Sequence, residues 1–294
     1  MKNLSTYILL LLLIVLFSCK KDKGSGITNN KKYLVSFNLD GFKQQILGSN
    51  SSRLNTNSVV SDTGSIKAMF DSIGYVVYDS GGKLIHFKTF STKSFTNSIT
   101  DSLPSATYKI AFYAFQAGLI TNTYQGLISY PSNIWKDTYA KTVAVTVTNN
   151  NINQTITLER IVADIQFIIK DPIPADAIRF DLALSQEWGS YSIFYSVPYT
   201  PASSSYSITI PASARGQSNF KIDHLTLGST TPISFTLDYI GLQTYLHREA
   251  KNVSVQKNQQ TIYTGNLFGG TSNNNGFQAS VNQVWNPTPT VVSF

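Results

Sequence analysis

Apolar and polar residues alternate most regularly in the middle of the chain. In TVAVTVT (142–148), Val143, Val145 and Val147 point to one side and Thr142, Thr146 and Thr148 to the other. After Asn149-Asn150-Asn151, QTITLER turns Ile156 and Leu158 inward. IVADIQFIIKD then puts Ile161, Ala163, Ile165, Phe167 and Ile169 on one face and Asp164, Gln166 and Lys170 on the other. A period of two over this length predicts strands with one packed and one wet face, and Asp164 is expected on the wet one. Pro172 and Pro174 end the run, because proline cannot donate to a sheet ladder.

The same grammar recurs elsewhere. Tyr33, Val35, Phe37 and Leu39 alternate with Leu34, Ser36 and Asn38. In IGYVVYDSGGKLIHF two apolar runs are joined by Asp79-Ser80-Gly81-Gly82, and glycine supplies the positive φ of a tight hairpin. A strand is predicted over 108–115, then an irregular excursion to 141 that holds Trp135 and a short helix. In the C-terminal half strands are expected at 177–184, 192–197, 206–210, 233–239, 252–256 and 261–268. Short strands at this spacing predict an all-β, sandwich-type fold.

The first residues follow another pattern. An apolar run over 7–17 is too short to span a membrane and has the length of a secretory signal core. Leu16-Phe17-Ser18-Cys19 resembles the lipobox of bacterial lipoproteins; the alternative is a buried cysteine beside a chance signal. The resemblance implies a signal peptide over 1–18, lipid on Cys19, and membrane attachment through two or three acyl chains at ~0.8 kcal/mol per buried CH₂. Lys20, where Asp would mark retention in the inner membrane, implies by the same resemblance the outer membrane; the protein then faces the cell surface or else the periplasm, and the cell surface is the expectation. KKDKGSGITNNKK, within 19–32, cannot build a core and reads as a flexible spacer.

Composition narrows the rest. Hydrophobic residues make up 42% and charged ones 13%, which excludes a disordered chain. The net charge of +7 comes from scattered Lys and Arg, without the cluster that nucleic acid requires, so no nucleic-acid partner is expected. His86, His224 and His247 are isolated, with no metal-ligand spacing. No nucleophile elbow, phosphate loop or dinucleotide fingerprint is present, and no cofactor is expected. The chain reads as non-enzymatic.

Three segments carry a family resemblance. The hairpin IGYVVYDSGGKL, the strand opening LPSATYKIAFYA (Ala106 where glycine is common) and the junction VTVTNNNINQTITLERIVADIQFIIKD each resemble the fimbrillin superfamily of lipoprotein pilins and pilus anchors. The resemblance implies two transthyretin-like Greek-key β-sandwich domains, 33–157 and 158–294, meeting near residues 157–160. It implies a role in fimbria-like filaments or adhesion, with other pilus subunits as partners. In polymerising members a protease cuts after an arginine, frees a strand and opens a groove that a neighbour's strand fills. Arg53, in NSSRLNTNS, lies between the first strand and the hairpin and is the candidate, or else an ordinary loop arginine. Residues 288–294 could be the exchanged strand, or an edge strand of their own domain.

A rival reading is a carbohydrate-binding surface lipoprotein that meets host or glycan ligands. It rests on QEWGSYSIFYSVPY (186–199), whose Trp188, Tyr191 and Tyr199 are candidates to face a ligand. The plainer alternative turns Ile193, Tyr195 and Val197 to the core and leaves the other rings to cap a hairpin.

Overall fold

The alternation is realised as strands. The computed structural model describes residues 31–43, 59–60, 69–268 and 278–282, and it is nearly all β, with short 3-10 turns at Pro131–Asn133 and Ala212–Ala214. In the N-terminal half lie β1 (Lys32–Lys43), β2 (Val59–Val60), β3 (Ser72–Asp79), β4 (Leu84–Ser91), β5 (Ser98–Pro104), β6 (Ala106–Phe115), β7 (Ile120–Asn122), β8 (Leu127–Ser129), β9 (Thr138–Val147) and β10 (Ile152–Arg160). An eight-stranded sheet runs β2-β1-β10-β9-β6-β3-β4, with β5 attached to β1. Val35, Phe37 and Leu39 of β1, Ile99 and Leu103 of β5, and Ile156 and Leu158 of β10 share one core with Tyr75, Val77, Ile110 and Phe112.

The later strands are β11 (Val162–Ile169), β12 (Ala177–Trp188), β13 (Ser190–Ser192), β14 (Val197–Pro198), β15 (Pro201–Thr209), β16 (Phe220–Leu227), β17 (Ser229–Gly241), β18 (Tyr245–Val255), β19 (Gln260–Gly265) and β20 (Gln278–Asn282). Two four-stranded sheets, β16-β11-β19-β20 and β15-β12-β17-β18, enclose a second core. Ile165 and Phe167 of β11 meet Phe180 and Leu182 of β12 and Phe235 and Leu237 of β17 there, Phe167 edge-on to Phe235 at 4.8 Å. The first core ends at Leu158 and the second begins at Ala163.

A fourth sheet, β14-β13-β8-β7, takes two strands from each half of the chain, joined where Tyr191 pairs with Ile128. Beneath it a third cluster gathers Val76, Tyr78, Tyr113, Trp135, Ile161, Val162, Tyr191, Ile193 and Leu227. The seam is therefore both hydrogen-bonded and apolar.

The hairpin forms where expected, and Asp79 secures it: its Oδ1 accepts from the amides of Gly81 and Lys83, each at 2.9 Å, while Gly82 takes φ +85°. Other expectations are corrected. No single strand runs over 192–197: β13 ends at Ser192, β14 begins at Val197, and 193–196 form the turn between them, where Ser196 takes φ +61°. β5 and β16 arise where no strand was predicted. In the 116–141 excursion two short strands and a 3-10 turn replace the expected helix. Asp164 does lie opposite Ile165, but its face is covered and it is only 4% exposed.

Candidate functional site

β1 has the form of an inserted strand. Its ladder to β10 is parallel, Val35 against Ile152 through Leu39 against Ile156, whereas β9, β6, β3 and β4 pair antiparallel. Val35, Phe37 and Leu39 are fully buried, and the Phe37 ring meets Phe112 edge-on at 5.0 Å. The Leu39 amide donates to the Asn97 carbonyl at 2.8 Å, just before β5. Three alternate side chains thus bind β1 to a slot lined by apolar residues of β5, β6 and β10.

Asp101 of β5 joins that strand to β3 and β4. Its carboxylate accepts from the Tyr75 hydroxyl at 3.1 Å and from Lys88 Nζ at 3.1 Å, and it meets His86 Nδ1 at 2.6 Å. Burial pushes the carboxyl up, but the hydrogen bonds from His86, Lys88 and the Ser102 amide outweigh it and hold the group below its ordinary range.

The aromatic segment 186–199 divides between seam and surface. Tyr191 is 3% exposed and packs under the seam, so it does not face outward. Phe194 stacks edge-on against Tyr78 at 5.4 Å and carries Lys109 Nζ 4.0 Å above its ring. Trp135 Nε1 donates to the Trp188 carbonyl at 3.1 Å, and Thr142 Oγ1 to the Ile193 carbonyl at 2.5 Å. Of the residues expected to turn inward, Ile193 is buried, while Tyr195 and Val197 are exposed. Tyr199 is 54% exposed.

Trp188 is half-buried and lines a groove of about 530 Å³ with Ser196, Val197, Pro198, Gly228 and Ser229. Thr230, Thr231, Gln256 and Lys257 complete it. Sequence reasoning reached Trp188 but not Lys257, which the fold brings from the turn after β18. A Cβ on Gly228 would lie 2.4 Å from the Lys257 backbone, so only glycine lets the two turns meet.

Polar groups are also buried inside the C-terminal half. His224 of β16 and Glu187 of β12 pair at 2.9 Å, and Glu187 also accepts from Ser204. The Tyr206 ring stacks on His224 at 5.2 Å. The histidines that looked isolated in sequence each meet a carboxylate, His86 at Asp101, His224 at Glu187 and His247 at Asp238. Among the described residues no three His, Cys, Asp or Glu side chains gather as metal ligands would. Cys19, Arg53 and 288–294 lie outside the described residues.

No family model matches the sequence, and no curated protein does either. Solved structures resemble it over most of its length. Against the fimbrial anchor protein Mfa2 from Porphyromonas gingivalis the TM-score is 0.52 at 12% identity, covering 86% of this chain and 98% of that one. A candidate polysaccharide-binding protein from Bacteroides thetaiotaomicron gives 0.53 at 11% identity, over 87% and 96%. A candidate adhesin from Bacteroides ovatus gives 0.51 at 12% identity, over 86% and 92%. What this chain shares with these proteins is their fold.

Proposed function

We propose that the chain is a lipid-anchored protein of the cell surface that serves, without catalysis, as a subunit or anchor of fimbria-like filaments or in adhesion. Two transthyretin-like Greek-key sandwiches, 33–157 and 158–294, would be held off the outer membrane by lipid on Cys19 and the 19–32 spacer. The observation that carries this reading is β1, a strand seated by three buried side chains in an apolar slot. Cleavage after Arg53 would cut the covalent tie between β1 and β3. A neighbour's strand, for which 288–294 is the candidate, would then refill the slot by backbone pairing, with alternate side chains in its pockets. The fold shared with a fimbrial anchor and a candidate adhesin supports it.

Immunogold labelling of intact cells beside a deletion strain tests the role. Label along filaments identifies a subunit, and label confined to their base an anchor. Identical, unlabelled filaments on both strains would overturn the reading. For the anchor, Cys19→Ala should leave the protein uncleaved or released from membranes; a wild-type protein that is unmodified and soluble sinks that part.

A second reading, a carbohydrate-binding surface lipoprotein, is favoured by the groove at Trp188. One protein of the same fold is itself a candidate polysaccharide-binding protein.

A further inference from the structure

We infer that the groove at Trp188 takes a carboxylated sugar of a glycan, a uronic or sialic acid, with its ring on the indole and its carboxylate at Lys257; this rests on the second reading above. The volume, about 530 Å³, lies within the ~300–1,000 Å³ of small-ligand sites. Its chemistry is one-sided. Trp188 Nε1 donates to Ser229 Oγ at 3.1 Å, and the Thr231 amide donates to the same oxygen at 3.0 Å. With both lone pairs engaged, the Ser229 hydroxyl is left to act as a donor. Lys257 Nζ spends two donors, on the Tyr191 hydroxyl at 3.2 Å and the Ser196 carbonyl at 3.3 Å, and its third is available to a ligand.

Among the described residues no Asp or Glu lines the groove, and the carboxylate acting on Lys257 from outside it is Glu159. The acceptors on the groove's side chains are neutral, the Gln256 amide and the hydroxyls of Thr230 and Thr231, so the charge its lining offers a ligand is the positive one of Lys257. One cation, neutral hydroxyl and amide groups and an aromatic ring suit a sugar that brings its own carboxylate. Attraction of a bare polyanion by charge alone needs clustered Lys and Arg, and this groove holds one lysine. The site is also preformed, because Gly228 brings the turn before β17 into backbone contact with the turn at Lys257.

The test is calorimetric titration of the full chain, extracted in detergent, with trigalacturonate and with sialyllactose. The methyl ester of trigalacturonate and lactose are the neutral counterparts. The expected result is binding of at least one acidic sugar, with its neutral counterpart about tenfold weaker. Trp188→Ala and Lys257→Gln should each weaken it by roughly tenfold, the scale of one lost aromatic or ionic contact. Trp188→Phe, which keeps a ring, should retain most of the affinity and covers the case in which the alanine variant misfolds. Equal affinity for acid and neutral forms, lost in Trp188→Ala, would overturn the acidic assignment while leaving sugar binding standing. No binding of any of the four would overturn both. Undiminished binding by the two variants would place the contact elsewhere and also overturn the inference. Filament labelling is not involved, so its outcome leaves this one unaffected.

Discussion

Arg160 donates through Nε and Nη2 to both carboxylate oxygens of Asp137, at 2.8 and 2.7 Å, with the side chains 1% and 6% exposed. Its Nη1 reaches Asn258 Oδ1 at 3.4 Å, and the Asn258 amide donates to the Val162 carbonyl at 2.9 Å. Arg160 thereby fastens the segment before β9 and the β18–β19 turn to the point where the first core gives way to the second. Burial pushes the Asp137 carboxyl up and the Arg160 guanidinium opposes it, so each needs the other.

Removing one partner strands a buried charge. Arg160→Met should cost ~3–5 kcal/mol, the range for breaking a buried ion pair. The double variant Arg160→Met, Asp137→Leu should recover much of that loss, because the carboxylate is then gone as well. Urea unfolding of these two, of Asp137→Leu alone and of the wild type gives the cycle. A single-variant cost below ~1 kcal/mol would mean that solvent reaches the pair after all.

Asp164 predicts an unusual pH response. Its Oδ2 accepts from Gln260 Nε2 at 2.8 Å, its buried Oδ1 has no hydrogen-bond partner among the described residues, and burial pushes the carboxyl up to about 7. Unfolded, the same group titrates near ~3.9. Between those values the folded chain holds the extra proton, so Asp164 makes stability fall as pH rises, by at most ~1.4 kcal/mol per unit, levelling off above 7. Asp164→Asn should remove that slope and gain on the order of 2 kcal/mol at pH 8. Parallel unfolding curves of the two proteins from pH 5 to 8 would refute it.

The strands easiest to read were those with a run of alternate apolar residues on one face. β9, β10 and β11 alternate Val, Ile and Phe with polar residues, and that pattern alone dictates them. β5 and β16 escaped because their inward positions include Asp101 in one and His224 and Thr226 in the other. A polar residue inside a sandwich is costly without a partner, and Asp101 and His224 find theirs far along the chain: Tyr75, His86 and Lys88 for Asp101, Glu187 for His224. Glu187 itself reaches that position because β12 shifts register between Leu184 and Glu187, with Gln186 at φ +66°. Asp164 shows the same limit. Alternation gave its face correctly, but not what covers that face. At the groove, Trp188 stood out as a ring among polar turn residues; Lys257 and Ser229 joined it only through folding.

Asp101 predicts the opposite pH behaviour. Its carboxyl is held low in the folded state, so its contribution is present at neutral pH and lost as pH falls through the folded value. Asp101→Asn should cost ~1–3 kcal/mol at pH 7, the scale of buried charged hydrogen bonds. The gap to wild type should narrow in acid, where the wild-type carboxylate is itself protonated. Acid titration followed by tyrosine fluorescence checks this, since Tyr75 donates to the same carboxylate. A gap unchanged between pH 7 and pH 3 would count against the ionic role.

Phe37 measures how firmly β1 is seated. Its side chain is fully buried between Tyr75 and Phe112, tilted against the first at 6.2 Å and edge-on to the second at 5.0 Å. Phe37→Ala should cost ~3–5 kcal/mol through lost burial and the cavity left behind. Leu34, on the outward side of the same strand and 46% exposed, should tolerate alanine within ~0.5 kcal/mol. The contrast bears on strand exchange, since affinity for the slot must come from the inward set. A synthetic peptide of residues 32–43 should therefore stabilise a chain that begins at residue 44, and the same peptide with Phe37→Ala should do so far less well. Thermal melts of the truncated chain with each peptide decide it. Equal effects of the two peptides, or none from either, would mean that β1 is held by its covalent connection rather than by its pockets.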